Sequence, residues 1–178
     1  MGMLVDYSGG YPKIEELAGK IRGIAETKLG RKNLRARELL EWVVRKLGGK
    51  IEIAAPLEHP EQESGSLEIR GKGDFTIWLS PYTAPLRDNF TIAHELGHYF
   101  LHYDPSAGPA DKPVRVARNG TGTREWQANR FAAAFLMPQE QFTEKYHSTG
   151  GNIYAVAGHF EVSELAAEVR ARYIIKPK

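Results

Sequence analysis

The sequence predicts an α+β fold: a small twisted sheet with helices before it and behind it. Three observations predict it. Apolar residues recur at helical spacing through residues 12–47, three short segments of strand character lie between 50 and 80, and helical spacing returns from 85 to 174. Such a change of period from 3.6 to 2 and back is the signature of helices flanking a sheet.

In the first helical stretch, residues 12–29, Ile14, Leu17, Ala18, Ile21, Ile24 and Ala25 share a face, with Pro12 near the start and Gly30 past the end. Proline and glycine are natural helix punctuation at those two places. Residues 34–47 repeat the pattern through Leu39, Leu40, Val43, Val44 and Leu47, and Gly48-Gly49 stops it. Strands are expected at Lys50–Ala54, Ser66–Arg70 and Asp74–Ser80, the last two joined through Gly71-Lys72-Gly73 as a hairpin. The stretch from Pro56 to Gly65 is polar with two prolines, and reads as a loop.

A further helix begins near Pro85, whose fixed φ suits a first helical position, and runs to Leu101 before Asp104-Pro105. Residues 105–122 are rich in glycine and proline and read as one long loop. Helical spacing resumes over Thr123–Met137 and, after Pro138, over Gln139–Tyr146. Beyond the break at Ser148–Gly151, two short helices are expected at about 152–159 and 163–174. The expected organisation is a core with N-terminal helices over residues 1–150 and a C-terminal helical segment over 151–178 packed on it.

Composition narrows the class. The 178 residues are 42% hydrophobic and 26% charged, ordinary for a globular protein. No apolar run approaches the roughly 20 residues that span a bilayer, so no membrane partner is expected. Met1–Asp6 has neither a basic leader nor an apolar core of signal-peptide length, and Gly2 lacks the rest of a myristoylation signal. Cysteine is absent, which removes disulfides, thiolate metal sites and cysteine nucleophiles together. These features together point to the cytoplasm. The net charge of +2 does not argue for nucleic acid, although nine basic residues crowd Lys20–Lys46 against three glutamates. A solvated helix face is the preferred reading of that run, and a patch for an acidic partner or a phosphate backbone is the sharper one.

One short motif carries chemistry. His94-Glu95-Leu96-Gly97-His98 is an HExxH sequence on an expected helix. Residues four apart lie on one face about a turn apart, so the two imidazoles can close on one ion. Glu95 is rotated off that face but can reach the attacking water and take its proton. The motif is flanked by Phe90, Ile92, Ala93, Leu96, Phe100 and Leu101, so its helix is expected to be buried rather than a charged surface helix with a chance match. Glycine inside a helix costs about 1 kcal/mol against alanine; a close backbone approach at Gly97 would explain it.

Two imidazoles do not complete a catalytic zinc site. His102 continues the series, yet eight residues along a helix carry it about 12 Å from His94, so it is expected to be a surface or helix-end histidine. Glu125, 27 residues after His98, opens the 123–137 helix and shares a face with Asn129. Glu125 is thus the third ligand expected, with the Asn129 oxygen accepting a ring N–H from one of the histidines. Ala128, Ala132, Ala133 and Ala134 would let that helix pack closely. Two histidines and a carboxylate suit zinc, with manganese as the alternative.

Phe90–His98, then Glu125-Trp126-Gln127-Ala128-Asn129-Arg130-Phe131-Ala132, Leu136-Met137-Pro138 and Phe160-Glu161-Val162-Ser163 together resemble the ImmA/IrrE family of metallopeptidases over about residues 35–172. The resemblance implies a thermolysin-like zincin arrangement, with His94, His98 and Glu125 on zinc and Glu95 as base. It also implies a protein substrate: a helix-turn-helix transcriptional repressor, cut to release stress, phage or mobile-element genes. Longer members carry a fused repressor-like or sensory domain, and this sequence shows no counterpart of either. For the group that stabilises the oxyanion, Tyr99, His102, Tyr103, His147 and His159 are all conceivable and none is singled out.

A competing reading comes from residues 153–173, two short helices around Phe160-Glu161-Val162 with Ser163 as N-cap, which resemble a helix-turn-helix. Arg170, Arg172, Lys176 and Lys178 follow with no acidic residue after Glu168, and the chain would then be a DNA- or repressor-binding regulator on an inactive zincin fold. Glu164 and Glu168 on the presumed recognition helix oppose direct DNA contact, and the intact Glu95 opposes loss of catalysis. Finally, the Asp74–Ser80 strand is expected at a sheet edge beside the site, where an extended peptide could add to it.

Overall fold

In the computed structural model, the structure describes residues 4–31, 34–55, 65–106, 112–117 and 122–175. Residues 56–64 of the expected loop from Pro56 to Gly65, half of the one over 105–122, and Lys32, Lys176 and Lys178 lie outside the described residues. These residues form seven helices and four strands in the order α1 (Tyr11–Leu29), α2 (Ala36–Lys46), β1 (Lys50–Ile53), β2 (Ser66–Gly71), β3 (Asp74–Leu79), α3 (Pro85–His102), β4 (Val114–Ala117), α4 (Thr123–Leu136), α5 (Gln139–Ser148), α6 (Ile153–Phe160) and α7 (Glu164–Ile174). The fold is α+β, as expected. Among the described residues no helix is long and apolar enough to cross a membrane.

The sheet order is β1-β3-β2-β4, with β1 parallel to β3 and the other pairs antiparallel. β2 and β3 form the expected hairpin, and Gly73 at φ 77° supplies the left-handed residue its turn requires. Two expectations need correction. β3 does not lie at an edge: it is paired on both sides, by β1 and β2, so no peptide can add to it. β4 lies inside the segment read as one long loop. Its four residues, Val114-Arg115-Val116-Ala117, are too few to show alternation, and only pairing with β2 identifies them as a strand.

Alternate residues turn Leu67, Ile69, Phe75, Ile77 and Leu79 into the core, where β3 and β2 meet α3. The Phe75 and Tyr99 rings stand 4.3 Å apart across that layer. The far side of α3 packs on α4, and α4 packs in turn on α1. α3 is therefore sandwiched, which accounts for burial nearly all round it. A helix in that position is rigid and dry, the condition a metal site needs.

Four residues of the basic run in and between α1 and α2 are paired with glutamates of those helices. Lys20 pairs with Glu16, Arg22 with Glu26, Arg31 with Glu38 and Arg37 with Glu41. That is the arrangement of solvated helix faces.

The C-terminal pair is tied to the rest through two residues. Ser163 caps α7 by accepting from Ala166 N at 3.2 Å. Glu161, in the left-handed region at φ 53°, accepts the Ala36 N–H of α2 at 2.9 Å, and its carbonyl accepts from Asn89 of α3. Arg170 is buried: its guanidinium donates to Glu15 of α1 and to the Met137 carbonyl after α4.

Candidate metal centre

α3 begins as the sequence predicts, with Ala84 extended at the N-cap and Pro85 in the first turn. Asp88, also in that turn, accepts a hydrogen bond from Thr83 Oγ1 at 2.5 Å, a favourable place for a carboxylate at a helix N-terminus. About two to three turns further on, His94, Glu95 and His98 are all essentially inaccessible to solvent. α4 brings Glu125 in from its own first turn.

The two helices approach closely at Gly97. A Cβ there would meet the Cα and carbonyl oxygen of Ala128 at 3.0 Å. This close packing brings the side chains together. His94 Nε2 and His98 Nε2 are 3.1 Å apart, His94 Nε2 lies 3.3 Å from Glu125 Oε2, and His98 Nε2 lies 3.1 Å from Glu125 Oε1. His94, His98 and Glu125 form a group that can hold a metal ion.

The donor set fits a divalent cation on two counts. Contacts of 3.1 to 3.3 Å are edges of a tetrahedral shell whose centre lies about 2 Å from each donor, the bond length of zinc to imidazole nitrogen or carboxylate oxygen. Polarity gives the second. His94 Nδ1 lies 2.9 Å from Asn129 Oδ1, so the ring donates there and directs its Nε2 lone pair at His98 and Glu125. Lone pairs and a carboxylate crowded together repel one another until a cation sits among them. The carboxylate form is the one a metal takes.

His102 is the clear correction. It does end α3, but it is buried, not at the surface. His98 Nδ1 and His102 Nδ1 are 3.0 Å apart, and His102 Nε2 lies 2.9 Å from Gln127 Oε1. Gln127 Nε2 in turn donates to the Tyr7 carbonyl at 2.9 Å. Burial pushes the His102 imidazole down to about 4, against the opposing pull of the Gln127 hydrogen bond. The signal was the third step of the i, i+4 series. The 12 Å separation excludes His102 from any ion bound at His94, but it leaves His102 free to support His98, one turn away.

Of the other residues considered for an oxyanion role, Tyr99 is packed against Phe75 and Tyr103, while His147 and His159 are exposed on other helices.

The sequence profile of the IrrE N-terminal-like domain, a peptidase family (Peptidase_M78), matches residues 60–172. The chain belongs to that family, which is one of metallopeptidases. The match takes in both site helices and the C-terminal pair, and α1, α2 and β1 precede it. No curated protein sequence matches the chain. A transcriptional regulator of Mycobacterium tuberculosis has a similar structure, with a TM-score of 0.58 at 17% identity. The similarity covers 94% of this chain and 53% of the regulator, so this chain spans about half of that protein's length.

Proposed function

We propose that the chain is a zinc-dependent endopeptidase in which His94, His98 and Glu125 hold the ion and Glu95 is the general base. The observation that carries this reading is the convergence of the three donors at 3.1 to 3.3 Å on helices α3 and α4, with Glu95 in the same buried stretch. A zinc ion bound there supplies a Lewis acid for the scissile carbonyl and lowers the pKa of water. Glu95 takes the proton of the attacking water and returns it to the leaving amine. Asn129 keeps the His94 ring oriented. Manganese is the alternative ion.

The substrate we propose is a helix-turn-helix transcriptional repressor, cut in the cytoplasm to derepress the genes it controls. Membership of the family supports this substrate, and so does a fold shared with a transcriptional regulator. We read residues 1–150 as the catalytic core and 151–178 as a segment docked on it, available to meet the repressor. The alternative, a DNA-binding regulator without activity, is disfavoured by Arg170. That arginine turns inward to Glu15, while the outward side of α7 carries Leu165, Val169 and Tyr173 beside Glu164 and Glu168, and its exposed Arg172 is paired with Glu168. Such a face does not suit phosphates.

The test is to measure bound metal in the purified chain and incubate it with the helix-turn-helix repressor encoded beside it. One zinc per chain and chelator-sensitive cleavage are expected. Specific binding of duplex DNA, unaffected by metal removal and without cleavage, would favour the alternative.

A further inference from the structure

We infer that His102 and Gln127 are positioning residues for His98, anchored by the N-terminal segment through the Tyr7 backbone. The inference rests on the metal reading above and extends it to residues outside the ligand set.

Each proton in the network follows from the fixed end. A backbone carbonyl only accepts, so the group of Gln127 that faces Tyr7 O at 2.9 Å is its amide N–H. The Gln127 oxygen therefore faces His102, and His102 Nε2, 2.9 Å away, must donate to it. A neutral imidazole carries one proton, so His102 Nδ1 is an acceptor. Its partner at 3.0 Å, His98 Nδ1, must then be the donor. His98 is left with a lone pair on Nε2, the atom facing His94 and Glu125 at 3.1 Å. The chain of hydrogen bonds selects the metal-binding tautomer of His98 and holds the ring plane in place.

Burial makes the selection effective, since His98, His102 and Gln127 are at most 5% exposed and water does not compete. The anchor is itself held. Val5 N donates to His102 O at 2.8 Å, Leu4 bridges to Tyr103, and Asp6 pairs with Arg124, next to Glu125. Residues 4–7 thus clasp the end of α3 and the start of α4 together. Asn129 does for His94 what this longer chain does for His98.

The test uses the full chain, stripped of metal and reloaded. Long-range proton–nitrogen NMR of the imidazoles should find the His98 proton on Nδ1 and the His102 proton on Nε2, with and without zinc. His102→Phe removes the acceptor and should weaken zinc binding about 10- to 100-fold, measured by chelator competition. His102→Asn keeps an acceptor near the Nδ1 position and should recover most of that loss. Gln127→Leu should allow His102 to change tautomer and weaken zinc binding less than His102→Phe. A wild-type His102 proton on Nδ1, or zinc affinity unchanged in folded His102→Phe, would overturn the inference. If His102→Phe does not fold, the wild-type spectrum still decides. A chain that binds zinc but cleaves nothing leaves these readouts intact. A chain that binds no zinc sinks the metal reading, while the tautomers of the apo protein still judge the hydrogen-bond chain.

Discussion

Gly97 and Ala128 meet backbone to backbone: a Cβ built on Gly97 would stand 3.0 Å from both the Cα and the carbonyl oxygen of Ala128, and 3.2 Å from Phe131 Cβ. His94, His98 and Glu125 can converge because nothing separates α3 and α4 at this crossing. Gly97→Ala would gain about 1 kcal/mol of helix propensity. It would lose about 1–3 kcal/mol to overpacking, because the atoms in the way are largely backbone and cannot rotate aside. A net destabilisation of the metal-free protein is expected in urea unfolding. Zinc affinity should fall as well, since the added methyl pushes Glu125 away from the two histidines.

Glu125 offers a cleaner separation of metal binding from folding. Zinc at about 100 times its dissociation constant should stabilise the wild type by about 2.7 kcal/mol. Glu125→Gln keeps the shape and removes the charge, and most of that zinc-dependent stabilisation should disappear. The metal-free variant should unfold no earlier than wild type, because the carboxylate sits among the lone pairs of His94 and His98. Thermal unfolding with and without zinc checks both statements.

Glu95 separates binding from chemistry. Its place in α3 turns it off the face that carries the two histidines, so Glu95→Gln should bind zinc as the wild type does. Loss of the base should slow cleavage about 100-fold or more. Metal content and single-turnover cleavage of the same preparation provide the check. Cleavage at the wild-type rate would remove Glu95 from the mechanism.

The parts of this architecture that are readable in the sequence are the periodic ones. Helices α1 to α7 announce themselves through apolar spacing and through Pro12, Pro85, Pro138 and Ser163 at their ends, and the hairpin announces itself through Gly71-Lys72-Gly73. HExxH together with Glu125 and Asn129 is legible because i, i+4 spacing alone puts side chains on one face. Relationships created only by tertiary pairing were not legible. β3 looked like an edge strand because nothing in Lys50–Ile53 says that it pairs parallel to β3 across the hairpin. Val114–Ala117 becomes a strand only where β2 is there to receive it. His102 and Gln127 are 25 residues apart, and Tyr7 is 120 residues from Gln127. No local pattern carries a hydrogen-bond chain of that reach.

Arg170 decides what the C-terminal helices are for. Its guanidinium is fully buried and holds Glu15 through both oxygens, with the Met137 carbonyl as a third acceptor. Removing one partner of a buried pair strands the other, which costs about 3–5 kcal/mol, so Arg170→Ala should be severely destabilising. Arg170→Lys should recover only part of this, because an ammonium cannot reproduce the two-pronged contact. Replacing Glu15 and Arg170 together by leucine should be milder than Arg170→Ala, since no charge is then left unpaired. Zinc affinity of the folded variants should stay close to wild type, because Met137 and Glu125 lie at opposite ends of α4, about 18 Å apart along its axis. A DNA-reading arginine would behave the other way, with stability unchanged and duplex binding lost. Urea unfolding alongside a duplex titration of Arg170→Lys therefore separates a helix pair that braces the α1–α4 layer from one that reads a groove.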